Sequence, residues 1–206
     1  MYLFKANQAN FCAVYEDMQK QFPYMEIKAK ETFLTLRRQT QYHIWLVKEN
    51  SQGKRRTVGY MLVWLDTLNR VAWLEYIAVL RPYHNRGLGG KMLRLLKEKY
   101  PGCKGCFLEL EKPMQEDKNA QRRVAFYTRK GAFALNVQYF CPQPTKPSVE
   151  MDLYFLPFKQ GIHSLPDHAV LGAIRQAYRT LHARMPQAQK MLRYIKPLFN
   201  RKSVFS

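Results

Sequence analysis

The sequence predicts a soluble α+β protein, in which a domain of mixed strands and helices is followed by a basic, mostly helical extension. Along residues 1–157, strand-like apolar segments alternate with segments whose apolar residues recur at helical spacing. The chain has 206 residues, of which 47% are hydrophobic and 14% are aromatic, so it can bury a large core. No segment approaches the roughly 20 consecutive apolar residues of a membrane-spanning helix, which argues against integral membrane association.

The first half of the domain contains two predicted helices and four predicted strands. Apolar spacing predicts the helices over 8–22 and 31–39. The predicted strands cover 2–5, 43–48, 57–66 and 71–80. The polar turn at 50–56 joins the second and third strands as a hairpin. The fourth strand is apolar almost throughout, which is typical of a strand covered on both faces.

The second half of the domain continues the alternation. Helices are predicted over 91–99 and 118–130, and Gly102 and Gly131 end them. The predicted strands cover 106–110, 133–140 and 149–156. The proline-rich segment 141–147 separates the last two strands.

Residues 158–206 are predicted to form an extension of the domain, which spans residues 1–157. The extension contains nine basic residues and one acidic residue, Asp167. Apolar spacing predicts a helix over 167–183 and a short helix over 187–195. Two interpretations stay open: the extension packs on the domain with a solvated basic face, or it binds an anionic partner such as RNA, an acidic protein or a membrane surface.

The charge and the cysteine content indicate what kind of ligand the protein binds and whether its cysteines are reduced. The formal net charge of +19 raises the expectation of an anionic ligand or partner. The N-terminus lacks the pattern of a signal peptide, so a cytoplasmic location is expected. Cys103 and Cys106 form a CxxC, but no second CxxC or HxxxH accompanies it. We therefore expect reduced thiols and no metal.

The strongest local signal is a glycine-rich elbow, residues 84–90, between a predicted strand and a predicted helix. Glycine lets a ligand approach the backbone closely. Unpaired amides at a helix N-terminus, together with the helix dipole, favour a bound anion. Arg86 and Lys91 add full positive charges. Neither GxxxxGK[ST] nor GxGxxG is present, so the two common nucleotide-binding loops are excluded.

Two motifs make the chain resemble the GNAT family of N-acetyltransferases. The family's acetyl-CoA motif, [QR]-x-x-G-x-[GA], corresponds to His84-Asn85-Arg86-Gly87-Leu88-Gly89, with His84 in place of Gln or Arg. The family's F-Y-x-x-x-G-F corresponds to residues 126–133, with one extra small residue before the last aromatic. The order of predicted elements over residues 2–156 also resembles the family fold.

The resemblance implies a fold and a cosubstrate. The expected fold is a three-layer domain with a mixed, mostly antiparallel sheet of six to seven strands and helices on both faces. The sheet is splayed between its fourth and fifth strands, and acetyl-CoA lies in the gap. The residues expected to bind acetyl-CoA are Ile77, Ala78, Val79, His84, Asn85, Arg86, Gly87, Leu88, Gly89, Gly90 and Lys91.

The resemblance also implies a direct transfer in which an acceptor amine attacks the thioester. Tyr127 corresponds to the family's general acid, which protonates the departing thiolate. The backbone amide near Val79 would face the developing oxyanion. Glu75 is the candidate base, because strand alternation would put it on the face of Trp73, Ile77 and Val79. Alternatives stay open: Tyr127 as a half-buried aromatic, Glu75 as the partner of a nearby Lys or Arg, and a water chain as the base.

We therefore predict an enzyme that moves the acetyl group of acetyl-CoA to a primary amine of a small molecule or peptide. The alternative is a catalytically silent CoA-binding module, or a basic RNA-associated module, on the same fold. The positive net charge favours a neutral or anionic acceptor unless the pocket is locally acidic. Nothing in the sequence indicates an oligomeric state.

Overall fold

The computed structural model describes residues 1–51, 53–112, 114, 116–142, 148–185, 187–188 and 190–191. The helices are α1 (Gln8–Gln21), α2 (Lys30–Leu36), α3 (Leu88–Lys99), α4 (Lys118–Thr128) and α5 (Asp167–Thr180). The strands are β1 (Tyr2–Lys5), β2 (Tyr42–Ser51), β3 (Lys54–Asp66), β4 (Val71–Val79), β5 (Gly105–Glu111), β6 (Phe133–Ala134), β7 (Tyr139–Cys141) and β8 (Val149–Pro157).

The strands form one mixed, mostly antiparallel sheet, as predicted. Its order is β1-β2-β3-β4-β5-β8-β6, and β7 also pairs with β8. The predicted hairpin is the antiparallel pair β2–β3. The sheet has a single parallel pair among the described strands, β4 and β5.

The parallel pair is splayed. β4 and β5 pair only where Ala72 meets Cys106 and Trp73 meets Phe107. Both strands continue beyond this point, β4 to Val79 and β5 to Glu111, without further pairing to each other. The remaining backbone of the two strands therefore encloses a gap, which confirms the predicted position of the splay.

Helices cover both faces of the sheet and complete the three layers. On one face α1, α2 and α5 pack against the sheet through residues such as Phe11, Phe33 and Ile174. On the other face α3 and α4 pack through residues such as Met92 and Tyr127. The alternation of side chains along the strands supplies both cores, because successive residues point to opposite faces.

One predicted strand is divided in the structure. Residues 133–140 form β6 and β7 rather than a single strand, so the sheet has eight strands instead of six to seven. The amide of Val137 donates to the carbonyl of Leu135 at 2.9 Å, which closes a tight three-residue turn. This turn breaks the extended backbone, and β8 pairs with the two pieces separately.

The helix of the extension packs against the sheet. Val170, Ala173, Ile174 and Tyr178 of α5 are buried, whereas Arg179 is exposed. Most of the predicted helix 187–195 and the proline-rich segment 143–147 lie outside the described residues. Every helix in the described ranges is too short or too polar to cross a bilayer. The division of the chain at residue 157 stays a prediction.

Candidate active site

A cavity of about 260 Å³ occupies the gap between the splayed strands. β4 contributes Leu74 to Val79 and β5 contributes Leu108 to Leu110. Helix α4 closes one side with Arg123, Phe126 and Tyr127. The cavity therefore exists because two parallel strands stop pairing while their backbones continue.

A groove of about 400 Å³ runs along the elbow and adjoins the cavity. Val79, Gly89 and Phe126 line both. A ligand with one end at the elbow can thus extend into the gap between the strands without leaving the protein surface.

The elbow leaves the first turn of α3 open to a ligand. Asn85 and Gly87 have φ values of 61° and 66°, in the left-handed region that favours Gly and Asn. α3 begins at Leu88, three residues before the predicted start, and no side chain in the described part of the chain caps it. The amides of Leu88, Gly89 and Gly90 are therefore first-turn donors at the positive end of the helix dipole.

Close packing explains the two glycines inside the helix. A Cβ on Gly89 would lie 3.2 Å from the ring of Phe126, and one on Gly90 would lie 3.0 Å from Cε of Lys130. Both distances are shorter than ordinary carbon contacts. The elbow thus presents bare backbone beside α4, a cradle that fits the diphosphate of a nucleotide-derived ligand.

The first motif position, His84, contacts the protein's own backbone. Its Nε2 lies 2.8 Å from the carbonyl oxygen of Val79, so Nε2 carries the proton and donates it. The side-chain amide of Gln21 donates to the same carbonyl at 3.2 Å. His84 therefore ties the elbow to the end of β4, a role that Gln or Arg at this position could also serve with a side-chain donor.

A β-bulge changes the predicted orientation of Glu75. Leu62 pairs with Tyr76 and Val63 pairs with Leu74, so Glu75 has no residue opposite it on β3. Its carboxylate contacts Tyr42, in the core that contains Trp73, whereas Ile77 packs against the other core. The expectation that Glu75 shares a face with Ile77 and Val79 is wrong, because the extra residue shifts the alternation.

The carboxylate of Glu75 has two strong partners. Nζ of Lys28 forms an ion pair with it, and the hydroxyl of Tyr42 donates to it. The side chains of Lys28 and Glu75 are 4% and 3% exposed, so the pair is buried. The local lysine partner that the sequence left open is therefore present, although Glu75 still lines the cavity.

Tyr127 lines the same cavity from α4. Its side chain is buried, and its ring meets Phe126 edge-on at 5.1 Å between centroids. Burial, followed by the proximity of Cys106, raises the pKa of Tyr127 above its ordinary value. The phenol is therefore protonated at neutral pH, which is the form that a proton donor requires.

Comparison with known proteins decides the family. Residues 11–132 match the sequence model described as the acetyltransferase (GNAT) family. This is more than half of the chain, and it includes the elbow, the bulged strand and Tyr127. The protein is a member of the GNAT family.

Individual relatives agree with this GNAT assignment. YjbC of Bacillus subtilis (strain 168), named as a candidate acetyltransferase, is 25% identical over 172 residues, which are 82% of this chain and 80% of YjbC. A candidate GNAT acetyltransferase from Bacteroides thetaiotaomicron has a similar structure, with a TM-score of 0.70, 19% identity, and coverage of 87% of this chain and 97% of that one.

A third comparison supports the GNAT fold alone. The ribosomal-protein-S18-alanine N-acetyltransferase from Escherichia coli superposes with a TM-score of 0.56 and 20% identity. The superposition covers 80% of this chain and 97% of the Escherichia coli enzyme. Proteins of the GNAT family use acetyl-CoA, and the cradle at the elbow fits that ligand.

A polar cluster that the motifs do not indicate also lines the cavity of this GNAT protein. It contains Glu109 of β5, Cys141 at the end of β7 and His182 after α5. Burial opposes ionisation of Glu109, but contacts with His182 and Tyr139 and the charge of Lys28 outweigh burial and hold its pKa below the ordinary value. Glu109 is thus a charged group inside the protein.

Glu26 also lines the cavity, and its carboxyl group has a higher proton affinity than that of Glu109. Burial, followed by the neighbouring charge of Glu111, raises the pKa of Glu26 to about 7. Glu111 is itself paired with Arg123, with 3.2 Å between Oε2 and Nη1. Of the two acidic residues of β5, Glu109 lines the cavity and Glu111 forms a salt bridge.

Sequence reasoning missed Glu26, Lys28, Cys141 and His182 as residues of this site. Glu26 belongs to a short 3-10 helix, Tyr24–Glu26, and Lys28 lies just before α2. Each is a single polar residue in a connection or at the end of an element. No periodicity or spacing marks such positions, because they meet only when the elements pack.

Proposed function

We propose that this protein transfers the acetyl group of acetyl-CoA to a primary amine of a small molecule or peptide. The observation that carries the proposal is the continuity of two features. An elbow with free first-turn amides adjoins a cavity between splayed strands, and Tyr127 and three acidic side chains line that cavity. This arrangement gives one ligand a diphosphate site and, next to it, a place for proton transfer.

The elbow and the end of β4 are proposed to hold the cosubstrate. Amides of Leu88 to Gly90 would bind the diphosphate, and Arg86 and Lys91 would add positive charge. Arg86 lies over the ring of Tyr83, 5.2 Å from its centroid, which orders the guanidinium beside the groove. The bound thioester supplies an activated acetyl group.

Two proton transfers remain for the side chains of the cavity. Tyr127 is proposed to protonate the departing thiolate. The base that takes the proton of the acceptor ammonium is proposed to be Glu26, since a carboxyl group with a pKa near 7 matches that task. Glu75 is the alternative base, and it would have to give up its partners Lys28 and Tyr42 to accept a proton.

The acceptor is proposed to carry positive charge. Glu26 lines the cavity and lies close to Glu111, and Arg123 acts on both carboxyl groups, so among these three residues negative charge exceeds positive when both carboxyl groups are ionised. Acidic surroundings attract an ammonium group despite the net charge of the whole chain. These charges support a cationic acceptor over an anionic one.

A thiol-release assay with acetyl-CoA tests the proposal. Release should depend on the added amine across a panel of amino acids, diamines, aminoglycosides and peptides. Calorimetry with coenzyme A should show binding at one site per chain. Binding without release on any amine would instead support the silent CoA-binding module, and an absence of binding would contradict both.

Replacing Gly89 with valine should weaken coenzyme A binding at least about tenfold, or about 1.4 kcal/mol. The new side chain would press on the ring of Phe126 and move the first turn of α3 away from its position. Isothermal titration calorimetry measures the change. Gly102→Val is the matched control, because nothing lies within 4 Å of a Cβ there. Equal affinities of the two variants would contradict the cradle.

Replacing Glu26 with glutamine should remove the rise of kcat/KM with pH on the acidic side of the profile. A base works when it is deprotonated, so kcat/KM of the wild type should rise through about pH 7 and level off above it. The amide cannot titrate, and this rise should disappear. Glu98→Gln, an exposed change on α3, should keep it. If Glu26→Gln keeps the rise and Glu75→Gln loses it, the base is Glu75.

A further inference from the structure

Three side chains of different metal-ligand types converge at the cavity. They are Glu109, Cys141 and His182, and one ligand atom of each lies within 4.8 Å of the others. Oε1 of Glu109 is 3.6 Å from Nε2 of His182, and Oε2 of Glu109 is 3.7 Å from Sγ of Cys141. In a tetrahedral zinc site with bonds of about 2.0–2.3 Å, neighbouring ligand atoms lie about 3.3–3.8 Å apart. Each of the two measured separations is of that size, and each involves a different oxygen of Glu109.

His182 is buried, with an exposed fraction of 2%. Neither of its ring nitrogens has a hydrogen-bond partner among the described residues. The 3.6 Å separation from Glu109 is too long for a hydrogen bond. Burial of such a group without a partner is costly, and a bound cation would satisfy it.

Neighbouring groups hold two of the three ligands in place. The hydroxyl of Tyr139 donates to the carboxylate of Glu109. The hydroxyl of Tyr178 donates to the carbonyl of Phe140 at 2.5 Å, which joins α5 to β7 next to Cys141. Such outer contacts orient metal ligands in proteins.

The balance of buried charge also favours a cation. Lys28 faces Glu109 from the segment before α2, but its charge is compensated by Glu75 of β4. Together, Lys28, Glu75 and Glu109 give this buried group one net negative charge. A divalent cation that displaced the thiol proton would add one net positive charge and cancel the charge of Glu109.

We propose that Glu109, Cys141 and His182 bind one zinc-type divalent cation, with a fourth coordination position open to the cavity. A thiolate and an imidazole select such a cation over magnesium or calcium. All three residues line the cavity, so the fourth ligand is water or a donor atom of the acceptor substrate. The proposal goes beyond acetyl transfer, which needs no metal.

Binding of Zn²⁺ and Co²⁺ to the full-length protein tests the site without acetyl-CoA. Protein stripped with a chelator should bind one Zn²⁺ per chain by calorimetry. With Co²⁺ it should develop the visible bands of tetrahedral cobalt and a thiolate-to-cobalt absorption in the near ultraviolet. Neither readout involves acetyl transfer, so this test of the metal site is valid even if the proposed enzyme activity is not found. Absence of binding by both ions would overturn the site.

Substitutions of single residues test which side chains coordinate the metal. Cys141→Ser should abolish the thiolate absorption, and both it and His182→Gln should weaken Zn²⁺ binding at least about 100-fold. Tyr139→Phe leaves every ligand in place and should weaken binding about 10–100-fold, which keeps the test valid if a ligand variant misfolds. Cys103→Ser is the matched control and should bind as the wild type does. Loss of binding in Cys103→Ser with retention in Cys141→Ser would move the metal to the CxxC and refute the proposal.

Discussion

Replacing Tyr127 with phenylalanine is expected to lower kcat at least about 100-fold, with little change in coenzyme A affinity. In the proposed mechanism this phenol, which lines the cavity and is protonated at neutral pH, donates its proton to the leaving thiolate. Phenylalanine retains the ring and its edge-on contact with Phe126 but has no proton to give. Steady-state kinetics and calorimetry measure the two quantities separately.

The control for this variant is Tyr154→Phe. Tyr154 is a half-buried tyrosine of β8 and is not among the residues that line the cavity. It should retain the wild-type kcat. If kcat and kcat/KM of Tyr127→Phe fall by the same factor, the variant has lost an interaction that is made only in the transition state. An unchanged kcat in Tyr127→Phe would rule out this tyrosine as the acid.

Replacing Glu75 with glutamine should lower the free energy of unfolding by about 3–5 kcal/mol at pH 7. The change leaves the ammonium of Lys28 buried without its carboxylate partner. Burial already lowers the pKa of Lys28 to about 8, although the charge of Glu109 opposes this. The folded protein thus binds the lysine proton less tightly than the unfolded chain does, so stability gains as the pH rises above about 8.

Urea unfolding at pH 7 and pH 9 checks both parts of this prediction. The loss in Glu75→Gln should be smaller at pH 9, where Lys28 can become neutral. The double variant Lys28→Met/Glu75→Leu should lose less stability than Glu75→Gln, since it removes both charges together. Glu150→Gln is the surface control; its partner Lys112 is 49% exposed, and the loss should stay below about 1 kcal/mol. A loss of that small size in Glu75→Gln would refute the account of the buried pair.

The sequence by itself determined the elements, the fold class and the family. Apolar periodicity located every helix from α1 to α5 to within a few residues, because a helix or strand must bury one face along its own length. The elbow at 84–90 was predictable because left-handed backbone and close approach to Phe126 require particular residues at particular positions. The motif around Tyr127 was predictable because its residues and their spacing resemble a family motif.

Only the tertiary structure decided what surrounds the reacting atoms. The bulge at Glu75 depends on its pairing with β3, and one extra residue there reverses the face on which Ile77 lies. The partner of Glu75, Lys28, comes from a connection with no pattern of its own. Glu109, Cys141 and His182 lie on three separate elements and meet at the splay between two strands. Burial then sets their charge states, because the cost of removing a group from water depends on neighbours that are distant in sequence.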